Sequence, residues 1–532
     1  MRRAPWVGGL LLLLSGALSY TATAQVGTWV AKTFTKFTGG LNDGADPTIL
    51  NEQEASSLQN VVFTTSGAIA KRPGWGHVNP AATCGGLAAT ALTFYKQADG
   101  DRYLAAVCGN DTLKKMDYAG GSAGPDGVWD DITGALSFNT DADTPADFAT
   151  AQDILVIEDG LGTTAPYEWS GSGNADGLDG SPPDATMVEF HKRHLWLAGR
   201  TDAPSRLDFS ALDNVESWST STDFILVETD DGQPITGLKS GLDCLYAFKS
   251  HSIWRVCGTN KDDFTLEQMV TGVGAANNAS ITSINNQFIF LTTEGDVAIY
   301  NGGLDVQILS AKIEGTMADL DFDRLDEAAG VAFDDGTGDE DYYLCVSTAG
   351  SATHDRLLVF DTLHQAWTKF TGIPCNALTN YEIGTAQTAL LFSDYTGFTN
   401  RYPTGNADNG QAIAASYTSG HLDFGIPQQK HFRHAQIILQ QQSTDSNLTF
   451  DPRVDFETSG VQTTLPMAGS GALWDSAIYD QDTYADLTST IANVELQRVG
   501  NYFQWHIEQT AASQPFLVRA VRIWTEETGR VE

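Results

Sequence analysis

Cys244-Leu245-Tyr246-Ala247-Phe248-Lys249-Ser250-His251-Ser252-Ile253-Trp254-Arg255-Val256-Cys257 is the stretch on which the fold turns. It holds two short runs rich in β-branched and aromatic residues, separated by the polar turn Lys249-Ser250-His251-Ser252, and so it reads as a β-hairpin. In that hairpin Cys244 lies directly opposite Cys257. Facing positions on antiparallel strands bring Cβ atoms close enough for a disulfide, while two reduced, buried cysteines remain the alternative.

The same strand–turn–strand unit recurs along the chain. Residues 103–107 precede 112–118, 153–157 precede 165–169, and 194–198 precede 206–210. Further on, 287–291 precede 297–300, 341–346 precede 356–361, and 389–393 precede 400–403. With the quoted hairpin this makes seven units at a loose period of roughly 40–50 residues, the spacing of propeller blades. Trp129, Trp218 and Trp367 close several of them. A blade cannot bury both faces alone, but a ring of blades can. The expected fold is therefore all-β. A β-propeller of about seven blades spans 81–420, an extended N-terminal arm spans 26–80, and a β-sandwich-like domain spans 421–532, where longer alternating strands such as 435–440 and 504–509 appear. Two short helices are expected as exceptions. One runs from the capping box Asn51-Glu52-Gln53-Glu54 to about Asn60; the other carries Met317, Leu320, Leu325 and Ala328, with Thr316 as N-cap.

The chain has 532 residues with 30 Lys+Arg against 67 Asp+Glu, a formal charge of -37. Such a surface repels duplex DNA, whose binding needs clustered cations. It suits either plain solubility or a conduit along which DNA passes without sticking. Residues 26–80 are neutral, with Lys32, Lys36, Lys71 and Arg72 balancing Asp43, Asp46, Glu52 and Glu54. One basic cluster, Lys430, His431, Arg433 and His434, breaks the acidic background. It reads as a charged strand edge or as a contact with an acidic neighbouring subunit.

Residues 1–25 pose two alternatives. Arg2 and Arg3, the apolar run through Leu10–Leu14 and Ala22-Thr23-Ala24 make a secretory signal. Alternatively, translation begins at Val26 and the leader is a mis-assigned start. The six cysteines, Cys84, Cys108, Cys244, Cys257, Cys345 and Cys375, are an even number, as export favours.

The segment from Phe37 to Trp75 carries a resemblance. It reads Phe37-Thr38-Gly39-Gly40-Leu41, then Pro47, Asn60 and Lys71-Arg72-Pro73-Gly74. It resembles the amino-terminal signature of the phage tail nozzle and packaged-DNA-stabilisation proteins of podovirus-type tails, over about forty residues. The resemblance implies a structural virion subunit in a tail ring, sixfold, below the portal or adaptor and beside other tail proteins. Such a ring closes the DNA channel without binding DNA specifically and without contacting membrane. Phe37, Gly39, Gly40, Leu41, Pro47, Asn60, Lys71, Arg72, Pro73 and Gly74 would then form an arm that docks on a neighbouring subunit.

Nothing in the sequence forms a catalytic, cofactor or metal constellation. There is no Walker loop or His-Glu-x-x-His. The acidic run 334–341 lacks the ligand spacing of a calcium loop, and His191 and His194 flank a turn rather than forming a ligand set. No enzyme is expected. Two other classes stay open: an exported propeller, periplasmic or extracellular, binding glycan or protein, and a secreted propeller hydrolase.

Overall fold

The computed structural model describes residues 29–118, 124–141, 143–334, 338–383, 387–442, 446–467 and 489–527. The leader 1–25 lies outside these residues. Seven four-stranded antiparallel sheets follow one another along the chain, and each is a blade. The hairpin that opens the sequence argument forms the middle of blade 4, whose strands are Ile235–Gly241, Cys244–Lys249, Ser252–Cys257 and Thr265–Thr271. The first strands of successive blades pack beside each other around a central lumen, and the first strand of blade 7, Ala377–Ile383, returns to that of blade 1, Ala89–Lys96. All seven sequence units fall on the second and third strands of the seven blades.

The second strands are legible because most of their positions are buried. Cys244–Lys249, for example, is buried at every position. Neighbouring blades stack aromatic side chains between them, such as Tyr95 and Tyr103 of blade 1 against Trp169 of blade 2. Four successive blades join their first two strands by two-residue turns with positive φ at both positions: Gln152-Asp153, Lys192-Arg193, Leu242-Asp243 and Asn285-Asn286. This is the type I′ geometry, which matches strand twist.

The ring is closed by sequence from its other end. The fourth strand of blade 7 is Gly76–His77, which pairs with Thr399–Tyr402. Thr83 and Cys84 then donate backbone N–H groups to the Gly397 carbonyl, and Cys84 is bonded to Cys108 of blade 1.

The expectation of an extended arm is corrected here. Val30–Phe34, Gly40–Leu41, Glu54–Gln59, Val61–Phe63 and Ile69–Lys71 are strands in two six-stranded sheets completed by the C-terminal region. Val30–Phe34 and Ile69–Lys71 both pair with Leu517–Glu527, and Glu54–Gln59 pairs with Ala415–Ser419. The sandwich is therefore built from both ends of the chain, and it takes Ala415–Ser419 from the range assigned to the propeller. A neutral segment poor in charge gains more from pairing with its own C-terminus than from waiting for a neighbour. The sandwich core is continuous with blades 5 and 6: Phe37, Trp505 and Ile523 share one buried cluster with Leu291, Tyr342 and Trp367.

Both helix expectations are also corrected. Residues 54–59 form a strand, although the local hydrogen bond of the capping box exists, with the Asn51 N–H donating to Glu54 Oε2 at 3.0 Å. Pairing with Ala415–Ser419 overrides the local signal. The second helix is only Glu314–Ala318, and Thr316 lies inside it, with its N–H and hydroxyl held by Asp43. Met317, Leu320, Leu325 and Ala328 are buried.

Candidate functional site

The residues of the Phe37–Gly74 motif come together, but inside one chain. Phe37, Leu41, Asn60, Lys71 and Arg72 are buried, so they present nothing to a neighbouring subunit, and their role as a docking arm is corrected on that ground. Gly40 has φ 72°, and its Cα presses on the backbone of Trp367 in blade 6, where no side chain fits. Asn60 also has positive φ, and its side chain joins three segments: it donates to Ala414 O at 2.7 Å and accepts from Arg72 Nε at 2.8 Å and Thr371 N at 2.9 Å. Arg72 reaches Asp408 with both terminal nitrogens and Thr371 O at 2.7 Å. Lys71 donates to Gln509 Oε1 at 2.6 Å and to the carbonyls of Ala511 and Gln514. Burial depresses its ammonium pKa to about 8. The Pro47 carbonyl receives His421 N–H. After Pro73, a side chain at Gly74 would collide with the Ala407 backbone. The motif is thus the weld between sandwich, blade 6 and the chain leaving blade 7.

The strand-edge reading of the basic cluster is corrected as well. Lys430–Gln440 is an interior strand of its sheet, not an edge, and Lys430 is buried, donating to the carbonyls of Ile426 and Gln428. His191 and His194 end and begin two paired strands and are buried beside the turn they flank.

Cys244 and Cys257 are disulfide-bonded across the expected hairpin, with Cα atoms 4.6 Å apart. Two further bonds, Cys84–Cys108 and Cys345–Cys375, were not foreseen as pairs. The first braces the seam between blades 7 and 1. The second joins blade 6 to the segment leading into blade 7. Three disulfides fit an extracellular or periplasmic environment. Among the described residues no helix is long and apolar enough to cross a membrane.

The one place where most blades converge is the lumen. A cavity of about 170 Å³ is lined by residues of blades 1, 2, 4, 6 and 7 and by the lead-in to blade 5, including Thr93, Asp147, Lys239, Ile281, Gly330 and Asn376. A second, of about 290 Å³, opens beside it and is lined by Asp147, Thr186, Thr236, Asn278 and Asp326. Asp147 stands at the start of blade 2 and belongs to both. Its carboxylate accepts from Val188 N at 3.0 Å and Asn278 Nδ2 at 2.9 Å. Burial raises its pKa, and Lys239 partly counters this. Glu189, on the first strand of blade 3, is pushed up to about 7 by burial, again against the pull of Lys239. Asp147 touches lumen space and Glu189 stands close to it and to Lys239; both residues are half-buried, where water cannot fully solvate a charge.

Behind Asp147 lies Glu158, its cross-strand partner in blade 2. Glu158 is fully buried and neither carboxylate oxygen has a hydrogen-bond partner among the described residues. Burial, with Asp159, Asp147 and Asp184 nearby, raises its pKa well above the ordinary carboxyl range. The lumen therefore offers a cation, a carboxyl that holds its proton more tightly than usual with a second such carboxyl close by, and amide and hydroxyl groups. Such a set exchanges hydrogen bonds with a polar ligand. None of these residues was singled out by sequence, because each stands alone on a different strand.

No family model matches the chain, and no curated protein matches it. Solved structures do. The computationally designed Ika8 protein aligns at 12% identity over 62% of this chain and 100% of its own, with a TM-score of 0.38. YCF48 bound to D1 peptide aligns at 10% identity over 63% and 98%, TM-score 0.38. The Pan2 WD40 domain of Neurospora crassa aligns at 11% identity over 64% and 98%, TM-score 0.36. These likenesses bear on fold alone.

Proposed function

We propose that the chain is an exported, disulfide-braced β-propeller that binds a protein or glycan partner at the mouth of its lumen. The observation that carries this is the convergence of Asp147 and Lys239 from two blades on a polar cavity, with Glu189 of a third blade close to both. Pockets of this kind use a few fixed polar groups to orient a ligand. The disulfides support a place of work outside the reducing cytoplasm. The test is a glycan and peptide binding screen with the wild-type chain, followed by Asp147→Asn, Glu189→Gln and Lys239→Met. Loss of at least about tenfold in affinity, with thermal stability retained, is expected. Equal binding by all four proteins would remove the lumen from the account. Incubating the ligand with the wild-type chain separates binding from hydrolysis, and intact ligand is expected.

A second proposal rests on the Phe37–Gly74 motif, which resembles that of phage tail nozzle proteins. In that case the chain is a structural subunit of a tail ring. The motif then fixes the shape of each subunit, and the acidic propeller lets DNA pass. Immunolabelled electron micrographs of particles test it. Label on tails is expected, and its absence from every particle would end this proposal without touching the first.

A further inference from the structure

Lysines on this acidic chain find partners. Lys96 sits on Glu382, Lys192 on Asp243, Lys249 on Asp231 and Lys312 on Glu54. Lys239, on the first strand of blade 4, is half-buried and makes neither an ion pair nor a hydrogen bond among the described residues. It is also the one cation among the described residues that line either lumen cavity. Asp147 and Glu189 are close enough to feel its charge, yet neither comes within ion-pair distance. An ammonium partly withdrawn from water without a partner is costly, so a group from outside the chain is its natural complement.

Other groups lining the same space are uncommitted too. The Thr93 hydroxyl in the first cavity has no hydrogen-bond partner among the described residues, and in the second the same holds for the Thr186 hydroxyl and the Asp326 carboxylate. Asp147 accepts from Val188 and Asn278 on Oδ2 alone, so Oδ1 keeps accepting capacity. The two cavities, of about 170 and 290 Å³, share Pro145, Ala146, Asp147 and Ala279. One small ligand can therefore run from Lys239 past Asp147 to Asp326.

The inventory asks for a particular chemistry. One ammonium calls for one anion. Hydroxyls and carboxylates pair with hydroxyl groups, which both donate and accept. A sugar acid carries both features, a carboxylate on the ring and several hydroxyls around it. A neutral sugar would leave Lys239 unpaired, and a polyanion would be repelled by a chain with a formal charge of -37.

We propose that the lumen binds a glycan ending in an acidic sugar, with its carboxylate on Lys239 and its hydroxyls on Thr93, Asp147 and, one ring further, Asp326. This rests on the lumen as the binding site and names the ligand class. Burial pushes the Glu189 carboxyl up to about 7, so near neutral pH it offsets the Lys239 charge only in part. A lysine is a compact charge with three rotatable donors, so it takes a carboxylate without demanding one geometry.

The experiment uses the full chain and titration calorimetry. The probes are the methyl glycosides of glucuronate, galacturonate, mannuronate and N-acetylneuraminate, each beside its methyl ester, which keeps the ring and removes the charge. At least one acid is expected to bind at least about tenfold more tightly than its ester. Lys239→Met is expected to erase that difference, and Lys239→Arg to keep it. Asp147→Asn is expected to weaken acid and ester alike. Circular dichroism confirms folding, and Lys239→Gln replaces the methionine variant should that one fail to fold. Acids that bind no better than their esters, or a preference that survives Lys239→Met, would overturn the proposal. So would a Lys239-dependent preference shown only by tetra-alanine with a free carboxyl terminus over its amide, which would give the site to peptide ends. The lumen reading fails separately. It stands if a neutral ligand from the screen loses affinity in Asp147→Asn, and it falls with this proposal only if no bound ligand responds to either position.

Discussion

Arg72 and Asp408 meet in a two-pronged ion pair, with Nη1 2.8 Å from Oδ1 and Nη2 2.6 Å from Oδ2, although they stand far apart in sequence and both are buried. The pair ties the motif segment to the chain that leaves blade 7. Removing one partner strands the other charge away from water. Arg72→Ala is therefore expected to lower stability by about 3–5 kcal/mol. The double replacement Arg72→Met with Asp408→Leu is expected to lose less, because no uncompensated charge remains. Urea unfolding of the three proteins checks this, and a double variant as unstable as the single one would show that the hydrogen bonds, not the charges, dominate.

The three disulfides close loops with separations of 13, 24 and 30 residues. In the chain-entropy account each contributes roughly 3 kcal/mol by restricting the unfolded state. Denatured, unreduced protein from an oxidising compartment is expected to show no free thiol, because all six cysteines are bonded. Reduction is expected to lower the urea midpoint. Six reactive thiols before reduction would place the protein in a reducing compartment.

How far the sequence speaks depends on the strand. The second strands of the blades are nearly continuous buried runs, such as Cys244–Lys249, so local pattern finds them and the hairpins they open. The first strands line the lumen and mix polar with apolar residues, as Ala377–Ile383 does with Asn380 and Glu382. The fourth strands are often too short to carry any period; Asp176–Gly177 is two residues long. The closure of blade 7 by Gly76–His77 joins segments that no local window spans together. The misread arm has the same cause. Val61–Phe63 and Ile69–Lys71 are three residues each and pair with one another, and the strand that joins them to the sheet, Leu517–Glu527, lies at the far end of the chain. In the lumen, Asp147, Glu189 and Lys239 become a site only once the ring has closed.

Burial of carboxyls makes stability depend on pH in a defined direction. Glu189 has an ordinary pKa of 4.5 when unfolded and about 7 when folded. Below 4.5 both states hold the proton and the fold has its full stability. Between 4.5 and 7 the unfolded chain sheds that proton while the folded chain keeps it, so stability falls as pH rises. Glu158 is shifted the same way. Glu158→Gln and Glu189→Gln remove an ionisable group, so each is expected to flatten the decline between pH 5 and 7. Thermal midpoints across that range decide it. A slope unchanged from wild type in both variants would mean that the lumen hydrates these carboxyls fully.

The last prediction concerns truncation. Were residues 26–80 a free arm, their deletion would leave the propeller intact. In the structure the same deletion takes away five sandwich strands and the strand Gly76–His77. The first loss uncovers the shared core at blades 5 and 6, where Phe37, Leu58 and Ile69 pack with Leu291, Tyr342 and Trp367. The second leaves Thr399–Tyr402 as an unpaired edge and opens the ring where it closes. Exposed edges and apolar surface both drive aggregation. The truncated chain is therefore expected to be insoluble or protease-sensitive throughout. A milder cut, starting the chain at residue 72, keeps Gly76–His77 and removes only the sandwich strands. It is expected to retain the blade disulfides and a protease-resistant core of propeller size, while the region after residue 415 is digested. Limited proteolysis with mass analysis reads both outcomes. A stable, monodisperse propeller from the longer deletion would show that the ring closes without its borrowed strand.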